Sequence, residues 1–200
     1  VKKIENFGSS LALNSSYPKD KIDSDSPMIT SACKNCENWK EKDLLYTVGV
    51  VKDDKLKSLW FVYGDCYSAN KETYERVKNS ITDGLNSIGN VEFAETNEIG
   101  RVNKVDPLGI TYLRIRGMWG IDNPSKVFSY ITTVNPNDSF TLTVLMLKNK
   151  YLSFPDSDRF AVENLLSDSV KISDVRIKSP NNPATLLDAK LIKYVIRKTQ

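Results

Sequence analysis

Alternating apolar and polar positions run through most of this chain. In LLYTVGVV, residues 44–51, Leu45, Thr47 and Gly49 fall on one face of an extended strand, and Leu44, Tyr46, Val48 and Val50 on the other. A second β-rich run, LKSLWFVYGDCY, follows after Lys52-Asp53-Asp54-Lys55. Two such runs around a short polar turn predict a hairpin. The period then changes: Tyr74, Val77, Ile81, Leu85 and Ile88 recur every three or four residues, which predicts a helix with one face buried against a sheet. Ser68 or Asn70 suits its start, and Gly89-Asn90 its stop.

Strand-like runs return at 91–95, 109–119, 126–134 and 139–147, separated by the turn-forming VDPLG, GIDNPS and NPND. After Tyr151, DSDRFAVENLLSDS reads as a short helix with Phe160, Val162, Leu165 and Leu166 inward. VKISDVRIK and the terminal LIKYVIRK read as strands, with a turn between Pro180 and Pro183. Residues 1–32 are polar and lack a period, so a flexible arm is expected there, followed by a single domain over 33–200. The fold class expected is α+β: a mainly antiparallel sheet of about seven strands with two or three packed helices.

Composition narrows the chemistry. Histidine is absent, which excludes Ser-His-Asp and Cys-His hydrolases and histidine-bearing zinc sites. The 28 basic residues against 25 acidic ones are scattered rather than blocked, so a nucleic-acid partner is not expected. No apolar run reaches the roughly 20 residues of a membrane-spanning helix. No cofactor-binding loop appears, and the Ser-x-x-Lys matches at Ser16, Ser31 and Ser68 stand without the companion motifs of a serine-lysine enzyme.

Three cysteines remain. Cys33-Lys34-Asn35-Cys36 follows a polar segment rather than the strand that precedes a thioredoxin-like pair, and a zinc site lacks a fourth ligand. No metal is therefore expected, and the reading is a structural disulfide from Cys66 to Cys33 or Cys36, in an oxidising compartment. Three reduced cysteines in a cytoplasmic protein form the competing reading. A chain opening at Val1 fits a removed signal sequence or trimming equally.

Aromatic and arginine side chains offer the candidate binding surface. Arg114, Arg116 and Trp119, with Asp122 and Asn123 in the following loop, are residue types that anchor interfaces. Composition and strand order resemble small exported bacterial sandwich proteins, including periplasmic immunity proteins. That resemblance implies a non-enzymatic, periplasmic or secreted binding protein that inhibits a partner such as a toxin or effector. Two alternatives stand beside it. One is an envelope-associated lipoprotein domain; the other is an enzyme using carboxylates or lysine, with Asp65, Glu92 or Glu95 near a cleft.

Overall fold

The computed structural model describes residues 10–13, 16–26, 29–35, 37–94, 99–165 and 167–198. The chain forms two compact units: residues 1–11, 19–69 and 122–200 make the first, and residues 12–18 and 70–121 the second. The class is α+β with mostly antiparallel pairing, but the single sheet of about seven strands is replaced by several smaller sheets. Six helices, most of them short, are present among the described residues.

A five-stranded sheet organises the first unit. Its strands are β1 (Leu45–Lys52), β2 (Lys55–Tyr63), β3 (Phe140–Leu147), β4 (Val170–Lys178) and β5 (Leu186–Ile196), in the order β4-β5-β3-β2-β1. All neighbours run antiparallel except β3 and β2, which are parallel. The β1–β2 hairpin forms as its sequence predicts. Lys52 pairs with Lys55, and Asp53 and Asp54 take φ values of 50° and 55°, the left-handed pair that suits a two-residue turn.

Register decides which face is core. Thr143 pairs with Trp60, and Trp60 with Val48, so these three side chains share a face with Val62, Leu145, Leu191 and Ala189. All of them are buried. Trp60 stacks on Phe128 with ring centroids 6.1 Å apart, and Tyr67 lies 5.9 Å from the same ring. Phe128 reaches this position because residues 126–134 are not the strand their composition predicts. Asn123 caps a short helix, Pro124–Val127, by accepting the Ser125 N–H at 2.9 Å, with Pro124 in the first turn.

The expected arm is tied in where it is described. Lys21–Asp23 pairs antiparallel with Glu41–Asp43, and the Tyr46 hydroxyl bonds both the N–H and the carbonyl of Lys19 at 2.8 Å. In the second unit, the helix Lys71–Asn86 forms, but no residue of it is buried. Val77, Ile81 and Ile88 are 41–48% exposed, whereas Tyr74, Thr82 and Leu85 turn inward. The helix Asp156–Glu163 likewise forms with Phe160 exposed, and Leu165 beyond its end is exposed as well.

Gly64, where β2 turns into a short helix, has its N–H on the Leu44 carbonyl, and a Cβ there would overlap the Asp20 backbone. Gly64→Ala is expected to destabilise the protein by about 1–3 kcal/mol in urea unfolding. Gly84→Ala, in open space within a helix, is expected to stabilise it by about 0.5–1 kcal/mol.

Candidate functional site

The second unit sets two arginines side by side on a small sheet. Glu92–Phe93, Gly100–Asn103 and Leu113–Ile115 form a small antiparallel sheet in which Arg101 stands directly opposite Arg114. Opposite residues of a pair project from the same face, and like charges placed so are destabilising on their own. The Arg101 guanidinium lies 4.9 Å from the Tyr112 ring centroid, and its Nε donates to Asn103 Oδ1 at 3.1 Å. Neither partner is a carboxylate. Arg114 and Arg116 are both exposed.

Two acids among the described residues here, Glu92 and Asp106, are occupied. Glu92 pairs with Lys104 at 2.5 Å. Asp106 accepts the Leu108 N–H at 2.9 Å, and the N–H (2.7 Å) and hydroxyl of Thr111. Those bonds hold its carboxyl below the usual range. Residues 92–121 hold four basic and four acidic side chains, so the arginines stand out by their placement and not by an excess of charge. Two guanidiniums side by side, with planar forks of donors, suit phosphate or carboxylate oxygens.

Trp119 is not part of that exposed face. It meets Tyr74 and Tyr17 edge-on at centroid distances of 5.7 and 6.1 Å, and those two rings stack at 5.5 Å. This aromatic cluster holds Trp119 half-buried against its neighbours. Asp122 and Asn123 belong to the first unit. Asp122 is engaged by Ser10 at 2.7 Å and Lys126 at 2.9 Å, and these bonds hold its carboxyl down. Asn123 is fully buried as the helix cap, which removes it from any contact surface.

The first unit gathers a second group of charges. Lys150 pairs with Asp43 at 2.6 Å while its ammonium lies 5.6 Å from the Tyr63 ring and 5.4 Å from the Phe154 ring. Lys21 pairs with Glu41 at 2.6 Å. Asp65, two residues past the end of β2, is half-buried with its Oδ1 unpartnered. Burial pushes its carboxyl above the usual range, Asp43 adds to this, and the Cys66 thiol and Lys21 oppose it. Cys66 is itself a buried free thiol that burial and Asp65 push up, so the expected bridge from Cys66 is not formed. Cys33 lies exposed in the short helix Ser31–Asn35, and Cys36 falls outside the described residues. Glu95 does too. Among the described residues, no group of three or more His, Cys, Asp or Glu is placed to hold a metal ion.

Sequence reading reached Arg114, Arg116 and Asp65 but missed Arg101. Its strand is only four residues long, although the alternation in IGRVNKV was a usable signal. Asp43 and Lys150 meet across 107 residues, and no local pattern announces that.

Because the folded carboxyl of Asp65 is raised, the native state favours the protonated form, and this contribution to stability is lost as pH rises through its folded pKa. Asp65→Asn is therefore expected to melt at a higher temperature than the unsubstituted protein near about pH 8, with the gap closing toward about pH 4. Paired thermal unfolding across that range checks the sign.

Comparison with known proteins gives the frame for these sites. The NgoPII restriction endonuclease family profile matches residues 1–178. A curated relative, the type II restriction enzyme NgoPII of Neisseria gonorrhoeae, is 51% identical over 195 residues, covering 97% of this chain and 69% of the relative. No solved structure matches. These findings overturn the reading as a non-enzymatic inhibitor or immunity protein, and with it the toxin partner, the exclusion of nucleic acid and the periplasmic or secreted placement. The argument from absent histidine failed because it weighs against only those hydrolases that need an imidazole, whereas nucleases can use carboxylates, lysine and metal ions. The chain belongs to the NgoPII restriction endonuclease family.

Proposed function

We propose that this protein acts in sequence-selective cleavage of double-stranded DNA, as a type II restriction endonuclease, and that its second unit contributes phosphate contacts. The observation that carries the reading is the family match across residues 1–178 together with 51% identity to a restriction enzyme. The cross-strand pair Arg101–Arg114, with exposed Arg116 beside it, supports the phosphate contacts. Two guanidiniums on one sheet face offer paired donors to phosphate oxygens, and a DNA backbone bound there releases its condensed counterions. In this reading Arg114 and Arg116 meet DNA, whereas Trp119 packs on Tyr17 and Tyr74, Asp122 bonds Ser10 and Lys126, and Asn123 caps a helix.

Nucleases commonly use divalent metal ions to polarise the phosphodiester and activate water. The described side chains do not form a donor set for such an ion, so no catalytic step is assigned to them. Asp65 and Asp43 with Lys150 and Lys21 form a charge network at the edge of the sheet in the first unit; the ion pairs Lys21–Glu41 and Lys150–Asp43, at 2.6 Å, brace the pairing of Lys21–Asp23 with Glu41–Asp43.

Incubating the purified protein with linear plasmid DNA and Mg²⁺ tests the reading. Discrete fragments that disappear on adding EDTA are expected; uncut DNA or a sequence-independent smear contradicts it. In EDTA, where binding is read without cleavage, Arg101→Ala and Arg114→Ala are each expected to weaken duplex binding. Each also reduces the slope of log affinity against log salt by about 1.

A further inference from the structure

Between the arginine strands lies a turn whose side chains are exposed in an unusual way. Leu108 is 78% and Ile110 73% exposed, and Tyr112 beyond them is 60% exposed. Isolated exposed apolar residues are ordinary, but these occur together on one short turn. The turn is also held from within. Asp106 accepts from Leu108 and Thr111, the Gly109 N–H bonds the Asp106 carbonyl at 2.9 Å, and the Val105 N–H bonds the Thr111 carbonyl at 3.2 Å. Gly109 sits at φ 72°, which a residue with a side chain rarely adopts, and Pro107 fixes the leading backbone. Leu108 and Ile110 are therefore presented on a preorganised scaffold, which lowers the ordering cost of inserting them into a partner.

Charge selects the partner. The turn is flanked by Arg101, Arg114 and Arg116, whose planar guanidiniums suit phosphate oxygens. A polyanion is matched by the same charges. Apolar wedges bordered by arginines are one way proteins enter a DNA groove and partly unstack a base step.

We propose that the turn of residues 104–111 is a DNA-inserting wedge: Leu108 and Ile110 enter a groove and open a base step, while Arg101, Arg114 and Arg116 hold the flanking phosphates. The inference rests on the endonuclease reading and adds to it the mode of DNA contact.

The test compares the unsubstituted protein with the double variant Leu108→Ser/Ile110→Ser, both in EDTA to prevent cleavage. Gel-shift titration with linear plasmid fragments reads affinity, and permanganate oxidation of unstacked thymines reads base opening. The unsubstituted protein is expected to bind and to create permanganate-reactive thymines. The double variant is expected to bind about tenfold or more weakly and to create none. Both side chains face solvent, so its thermal unfolding is expected to be unchanged. A single Leu108→Lys variant guards against a folding defect in the double variant. It weakens binding if the residue inserts, and strengthens it if the turn merely rests on phosphates, which overturns the wedge. Unchanged affinity and thymine reactivity in the double variant, with DNA bound by the unsubstituted protein, overturns the wedge and leaves the endonuclease reading standing. Unchanged DNA binding with loss of self-association in sedimentation assigns the surface to a second copy and also overturns it. Absence of DNA binding by the unsubstituted protein overturns both readings.

Discussion

The parallel pairing of β3 with β2 is the constraint on which the first unit depends. β2 follows β1 through a two-residue turn, and β5 follows β4 through a short loop, so each of those pairings is prepared locally. β3 joins the two halves, aligning Thr143 with Trp60 on one side and with Lys193 on the other. Side chains alternate with a period of two, so a one-residue slip of β3 would turn Thr141, Thr143 and Leu145 out of the core. Phe128 seals the arrangement by stacking on Trp60, and it is held there by the Asn123 cap five residues upstream in sequence. Fully buried Asn123 thus acts through packing, though its residue type and loop suggested a contact surface.

The second unit shows a different balance. Its helix buries none of its residues, and its small sheet places two arginines opposite each other. Neither feature serves the stability of the isolated unit. An aromatic cluster of Tyr17, Tyr74 and Trp119 supplies the packing. The cross-strand arginines and the exposed turn beside them are what a surface for a polyanion requires. Family membership points to DNA, and the proposal places it on this surface.

Much of the fold was legible where local pattern and burial agree. The Asp53-Asp54 hairpin, the helix over Lys71–Asn86 and the strands of 139–147 and the C-terminal hairpin all follow from period and turn chemistry. The errors fall where local composition competes with a terminal signal. In 126–134 the β-branched residues outweighed Asn123-Pro124, an N-cap followed by a first-turn proline. Periodicity located the helix at Tyr74 to Leu85, but not which of its neighbouring faces would pack, because Val77 and Ile81 fit an inward stripe as well as Thr82 does. The candidate site was half legible. Arg114 and Arg116 stood out as residue types, whereas the Arg101–Arg114 pair exists only through a long-range register. Net charge misled, since a count of 28 basic and 25 acidic residues says nothing about which of them meet on one sheet face.

Amide hydrogen exchange of the whole protein, with and without duplex DNA in EDTA, tests the central claim most directly. The account predicts that DNA slows exchange in residues 100–116, across the arginine strands and the turn between them. Protection confined to other segments, with 100–116 exchanging as fast as in the free protein, would contradict it.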